Sequence, residues 1–350
     1  MGSDALVVCV GGDEPELAAR ARARILDLEQ RWSRFVPDSE ICLVNASAGQ
    51  AVPVSTVTLD VVVAAVDAWR LTDGRFDPTL LRVLEESGYD RSFELLDRVG
   101  STTDAEHGDD AGRMDLAGTV NGDRPGGAGG QLSRAGRQLT DAPVGLRIDE
   151  DAGSISVEPG VGIDLGGIGK GRAADLAVGD LLHAGADGAC VDLGGDVRVA
   201  GRPADGEDGW VIGVADPAAD NDVADLAIRL ADGAVATSTR CRRRWVSGGR
   251  PAHHLIDPGT GRSAAGDLDT VTVVAADAGW AEVIAKAALI AGSVDGADLV
   301  VRSGVAALFR GADGELRRIG AFESFEVPLP CSTSTSTAPA VGALPGGDRP

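Results

Sequence analysis

Gly162-Ile163-Asp164-Leu165-Gly166-Gly167-Ile168-Gly169-Lys170-Gly171 is the stretch from which the fold is read. An apolar run, Val157 to Ile163, enters it as a strand ending, and a helical pattern leaves it at Arg172-Ala173-Ala174-Asp175-Leu176. Glycines without Cβ let backbone N–H groups approach an anion closely, and a following helix N-terminus adds a favourable dipole. Lys170 would then supply a point charge for a phosphate oxygen. A tight strand-to-helix turn with a surface lysine has the same shape. The glycine spacing fits neither a P-loop nor a dinucleotide fingerprint.

Working outward, composition makes that lysine informative. Of 32 basic residues only Lys170 and Lys286 are lysines. An ammonium is a compact charge with a tunable pKa, whereas a guanidinium is a planar fork, so the retention of lysine at two places hints at a role for each. The net charge of −22 excludes a nucleic-acid surface, which needs a basic stripe. With 350 residues, 43% hydrophobic, the chain can bury a sizeable core as one large domain or two. Five scattered cysteines, odd in number and without a CxxC, read as free thiols in a reducing compartment, with no zinc site and no disulfide framework. No basic, apolar leader opens the sequence and no apolar window of about 18 residues occurs, so the expectation is a cytoplasmic protein without a membrane span.

The order of elements follows from periodicity. Residues 5–10 read as a strand and Pro15 to Trp32 as an amphipathic helix. Ser39 can cap a short helix that Asn45 ends, and Thr58 to Leu71 is a second helix. Asp77, held out of the helical region by Pro78, presents its carboxylate at a helix start. Gly145 to Ile148 and Ser154 to Glu158 pair as a hairpin. After the glycine turn come a helix over Arg172 to Ala184 and strands at Ala189 to Leu193, Trp210 to Val214, Leu226 to Leu230 and Gly233 to Thr239. His253 and His254 stand side by side before the Asp257-Pro258 turn; on a strand they face opposite sides and cannot serve one site in the same way. A strand at Thr270 to Ala275 leads to an alanine-rich helix, Ala278 to Ala291, on which Glu282 and Lys286 have the spacing of a surface salt bridge. Leu299 to Ser303, Val305 to Arg310 and Leu316 to Ile319 read as a closing meander.

These blocks, in this order, resemble the ApbE family of FAD:protein FMN transferases. The resemblance rests on Pro37-Asp38-Ser39-Glu40 to Asn45, Asp73-Gly74-Arg75-Phe76-Asp77-Pro78-Thr79, Asp164 to Gly171 with Asp175, Leu193-Gly194-Gly195-Asp196, Ala236-Thr237-Ser238 and His253 to Arg262. It covers 1–98 and 145–322, leaving 99–144 as a Gly/Asp-rich flexible insertion and 323–350 as a disordered low-complexity tail. It implies a mixed α/β fold of two intertwined halves with an FAD cleft between them. It also implies cleavage of the FAD pyrophosphate with Mg²⁺, transfer of FMN to a threonine of an acceptor flavoprotein, and release of AMP.

Carried over by position, Met1, Asn45, Arg75, Phe76 and Asp77 match the adenosine pocket, Asp164 and Lys170 match FAD contacts, and Ile256 a further FAD position. Gly167 matches a metal-binding carbonyl, and His253 and His254 the pair that supplies the base. The metal pair of the family, an aspartate and a threonine four residues on, falls on Glu282 and Lys286. A protonated lysine has no lone pair to give a metal. Three outcomes follow: Mg²⁺ on Glu282 and Gly167 alone, an ammonium in the metal's place, or a crippled site. The alternatives to a transferase are therefore a non-catalytic FAD-binding protein and an FAD pyrophosphatase.

Overall fold

The computed structural model describes residues 4–96, 142–219 and 223–329. Met1, nearly all of the 99–144 insertion and the end of the tail lie outside the described residues. The helices are α1 (Glu14–Trp32), α2 (Glu40–Ala46), α3 (Thr56–Leu71), α4 (Leu81–Glu86), α5 (Gly169–His183) and α6 (Ala278–Arg302). With strands numbered along the chain, the described residues build a seven-stranded antiparallel sheet in the order β1 (Ala5–Val10), β5 (Gly188–Leu193), β6 (Asp196–Gly201), β9 (Gly233–Thr239), β14 (Leu268–Ala275), β15 (Ala306–Gly311) and β16 (Leu316–Ile319).

Both faces of this sheet are covered. Successive residues of a strand point to opposite sides. Ala234, Ala236, Val271 and Val273 accordingly belong to the core under α5 and α6. Val235 and Val274 belong to a second core with Ile228, Leu230 and Phe322. That second layer is the small sheet of β7 (Trp210–Ala215), β8 (Ala224–Leu230) and β17 (Glu326–Val327). Double coverage explains why every residue of β14 from Thr270 to Ala275 is buried, on both faces of the sheet. Each fully buried large side chain, such as Ile284 or Phe309, contributes about 1.5–3 kcal/mol.

Smaller pieces frame the side on which the glycine turn lies. β2 (Val52–Pro53), β4 (Ser154–Val157) and β3 (Leu146–Asp149) form one sheet; β10 (Arg244–Ser247) with β11 (Arg250–His253) and β12 (Ile256–Asp257) with β13 (Arg262–Ser263) form two hairpins. Leu84, Tyr89, Trp245, Ala252 and Ile256 make a third apolar cluster that joins α4 to these hairpins. Asn45, at the end of α2, clamps the entry to the glycine turn: its amide donates to the Ile163 carbonyl at 2.9 Å and accepts from the Ile163 N–H at 2.7 Å. The amide thus does more than stop a helix.

Three local differences from the sequence reading have physical causes. The helix after the glycine turn starts at Gly169 rather than Arg172, which puts Lys170 inside its first turn. Tertiary packing overrides glycine's poor helix propensity there, because Gly169 and Gly171 are buried. Leu299 to Arg302, expected as a strand, is the end of α6: the chain passes Gly292 at φ +82° and resumes its helix. Residues 323–329, expected in the tail, are folded, with β17 pairing with β8. Asp77 accepts from the Thr79 N–H at 2.8 Å and the Thr79 hydroxyl at 2.6 Å, while α4 begins only at Leu81.

α5 and α6 meet end to end. Asp175 accepts from the N–H groups of Ala278 at 2.8 Å and Gly279 at 3.0 Å, capping α6 from the neighbouring helix. A Cβ on Gly171 would lie 2.2 Å from the Ala278 carbonyl oxygen, so a side chain there would push the two helix ends apart. Gly171→Ala is expected to lower the unfolding free energy by about 2 kcal/mol or more, read from urea denaturation. Gly179→Ala, on the same helix with nothing within 4 Å of its would-be Cβ, is expected to raise it by about 0.5–1 kcal/mol.

Candidate functional site

A narrow cleft opens between the turn after α3, the glycine turn, the β11–β12 connection and α6. Arg75, Phe76, Asp77, Leu80, Leu84, Asp164, His254, Ile256, Lys286 and Ile290 line it. Seven residues singled out in the sequence, spread from Arg75 to Lys286, are thus brought to one place. Asn45 and His253 do not line it, and Met1 lies outside the described residues. A larger, shallower hollow sits on the β2–β4–β3 sheet around Leu146, Ile148 and Ser156, away from these groups.

Behind the cleft the Lys170 ammonium is held between Asp196 Oδ2 and Glu282 Oε1. The other Glu282 oxygen accepts from the Gly171 N–H at 2.9 Å. Burial alone would pull the Lys170 pKa down, but the two carboxylates outweigh it and hold the ammonium above its ordinary value. Burial pushes Asp196 up to about 7 against the pull of Lys170, with the nearby Glu282 adding to the rise. The expected surface salt bridge between Glu282 and Lys286 is absent among the described residues: Glu282 is buried at 4% exposure and turned towards Lys170.

The two histidines have different neighbours. His253 donates from Nε2 to the Ala264 carbonyl at 3.0 Å, and its Nδ1 accepts from the Leu255 N–H at 3.3 Å, so both ring nitrogens are bonded. His254 faces the cleft, and its buried Nδ1 has no hydrogen-bond partner among the described residues. Burial, followed by the charges of Arg243 and Lys286, holds the His254 pKa well below 6.5. Its ring is therefore neutral at pH 7 and able to accept a proton.

Lys286 lies one helical turn beyond Glu282. A Cβ on Gly167 would stand 2.6 Å from its Nζ, which is also 5.9 Å from the Phe76 ring centroid. Burial lowers the Lys286 pKa, opposed by Asp164 and Glu282 and reinforced by Lys170 and Arg243. Among the described residues no carboxylate comes within salt-bridge distance of Lys286 or Arg243. The donor set does not suit Mg²⁺, which wants near-octahedral oxygen ligands including one or two carboxylates. Both Glu282 oxygens are engaged, Lys286 has no lone pair, and no group of three His, Cys, Asp or Glu side chains converges among the described residues.

Three charged groups escaped the sequence reading as site residues. Arg34 packs its guanidinium 4.3 Å from the Phe35 centroid and 4.4 Å from that of Tyr89, donates to the Tyr89 carbonyl at 2.8 Å, and lies 3.8 Å from Asp164. Asp196 and Arg243 are the others. None stands at a telling distance from its partners along the chain, and no local pattern reports such a contact. Arg75, matched to the adenosine pocket, pairs with Asp295 at 2.8 Å at the rim.

A model of the ApbE family matches residues 1–309 of the chain. The chain is 32% identical over 136 residues to a FAD:protein FMN transferase of Klebsiella pneumoniae, covering 39% of this chain and 41% of that protein. It is 27% identical over 271 residues to one of Vibrio cholerae, covering 77% and 72% respectively. The chain spans less than half the length of the first curated relatives it matches. The crystal structure of the ApbE protein of Thermotoga maritima superposes with a TM-score of 0.73 at 28% identity, covering 93% of this chain and 97% of that one.

The neutral His254 has a consequence for stability. The unfolded chain takes up a proton at this imidazole near pH ~6.5 while the folded chain does not, so stability is full above that pH and falls as pH drops below it. His254→Gln is expected to lose less stability than the parent between about pH 7.5 and about pH 5.5, followed by urea denaturation at each pH.

Proposed function

We propose, from the premise that the chain belongs to the ApbE family, that it is an FAD:protein FMN transferase. The observation that carries the reading is the cleft itself, where a neutral imidazole with an unpartnered Nδ1, His254, and an ammonium without a salt-bridge partner among the described residues, Lys286, meet. Phosphoryl transfer asks a protein mainly to place the nucleophile in line and to spread positive charge over the pyrophosphate oxygens.

His254 is assigned as the base. It takes the proton of an acceptor threonine hydroxyl; the threonine oxygen forms a bond to the FMN phosphorus, and the bridging P–O bond breaks to release AMP. His253, bonded at both ring nitrogens, holds the strand end that presents its neighbour. Lys286 and Arg243 offset phosphate charge, and Asp164, Phe76, Asp77, Arg75 and Ile256 shape the FAD pocket. The acceptor is a flavoprotein that bears the threonine. The Mg²⁺ expected from the family resemblance is not part of this reading, because Glu282 and Lys286 do not make a metal pair. A reducing, cytoplasmic setting is part of the proposal; Cys9, Cys42, Cys190 and Cys241 are free cysteines. No helix among the described residues is long and apolar enough to cross a membrane.

The test mixes the purified chain with FAD and a threonine-bearing acceptor domain, following AMP release and covalent flavin together. His254→Ala is expected to lower AMP release about 10²-fold or more while FAD still binds, a loss typical of a missing general base. His253→Ala is expected mainly to lower Tm. Unchanged turnover in His254→Ala would remove it as the base, and tight FAD binding without AMP in the parent would make the chain an FAD-binding protein.

A further inference from the structure

We propose that the Lys286 ammonium supplies at the Gly167 turn the positive charge that a divalent cation would otherwise bring to the substrate's pyrophosphate, so that this chain binds and cleaves its dinucleotide without a divalent metal. The inference rests on the reading of FAD as substrate.

The first ground is the fate of the carboxylates. Glu282 gives one oxygen to the Lys170 ammonium and the other to the Gly171 N–H, and Asp196 is drawn to the same ammonium. A metal at this turn would have to take Glu282 away from both donors and leave Lys170 with Asp196 alone. The second ground is where Lys286 sits. Its Nζ already occupies the space above Gly167, so close that any side chain at 167 would collide with it. A divalent ion placed there would face an ammonium at contact distance.

The third ground is the charge balance of the cleft. The groups that act on Lys286 are Asp164, Glu282, Lys170 and Arg243. Glu282 is spent on Lys170, and Asp164 lies 3.8 Å from Arg34. Lys286, at the turn, and Arg243, whose charge acts on it, are left without a carboxylate partner among the described residues. A buried charge without a counter-ion is costly, so a site built this way awaits an anion. An ammonium also brings three N–H donors of its own and needs no oxygen ligands. That accounts for a compact lysine in a chain whose other basic residues, Lys170 apart, are arginines. The ammonium is not consumed, and the bonds made and broken are those of the proposed transfer.

The experiment measures FAD binding by flavin fluorescence, Mg²⁺ binding by calorimetry, and AMP release, each in EDTA and in millimolar Mg²⁺. For the parent chain the expected result is an FAD Kd and an AMP rate that agree within about twofold in the two conditions, with no heat of Mg²⁺ binding in the presence of FAD. Lys286→Thr is expected to weaken FAD binding about tenfold or more in EDTA, the loss of a charge-assisted contact, and to stay weakened in Mg²⁺, because Glu282 remains bonded to Lys170 and the Gly171 N–H. Circular dichroism confirms that the variant is folded, and the parent's response to EDTA stands without it. Loss of FAD binding or AMP release when EDTA is added to the parent would overturn the inference while leaving the transferase reading intact. No FAD binding in either condition would overturn the transferase reading itself, and this inference with it.

Discussion

One ammonium shared by two carboxylates holds the centre of this molecule. Lys170 is 26 residues from Asp196 and 112 from Glu282, yet the three meet in the interior, at the first turn of α5, the start of β6 and the flank of α6. Such a group is a poor source of net stability, because the desolvation of three charges consumes most of their attraction. Its influence is on geometry. Removing Lys170 would leave two buried carboxylates uncompensated, at a cost of about 3–5 kcal/mol, so α6 can adopt one rotation about its axis and not its neighbours. Lys286 follows Glu282 by four residues and projects from the same helical face. Where the second lysine points is therefore decided by what the first one binds.

That arrangement also separates the cleft from the rest of the surface. The chain carries a net charge of −22, which would repel an anionic substrate if all its charges acted at a distance. At physiological ionic strength, exposed charges are largely screened beyond about 8 Å, whereas buried ones are screened much less. The scattered surface carboxylates thus act weakly on the cleft, and the buried Lys286 acts there at close range. An acidic balance and an anion-binding site coexist because they operate over different ranges.

Much of this was legible in the sequence, and the rest was not for definable reasons. The strands and helices of the sheet core, β6 excepted, followed from periodicity, and the glycine turn, the polar turn after α3 and the histidine pair each marked a wall of the cleft. What failed was partner choice. The four-residue spacing of Glu282 and Lys286 suggested a salt bridge, but burial turned Glu282 towards a lysine from another helix. Arg34 looked like a loop arginine, because its aromatic neighbours Phe35 and Tyr89 become a pair of platforms only once α4 folds back. The end of α6 was misread because Val300 and Val301 favour strands, and a glycine in the left-handed region can interrupt a helix without ending it. Adjacent histidines were correctly expected to diverge, yet which one faces the cleft could be known only from the bonds that tie up His253.

Glutamate at 282 and lysine at 286 are best understood together. A metal site requires oxygen donors that are kept free for the metal, and an aspartate at 282 would be one methylene shorter than the glutamate found here. The longer side chain reaches both the Lys170 ammonium and the Gly171 N–H, and in doing so withdraws its oxygens from the cleft. With the carboxylate withdrawn, a cation at the Gly167 turn has to bring its own donors, which an ammonium does and a metal ion does not. Glutamate at 282 without lysine at 286 would leave the turn short of positive charge. Lysine at 286 beside an uncommitted carboxylate would be neutralised by it. Each residue makes sense only in the presence of the other, and the Lys170 bridge is what couples them.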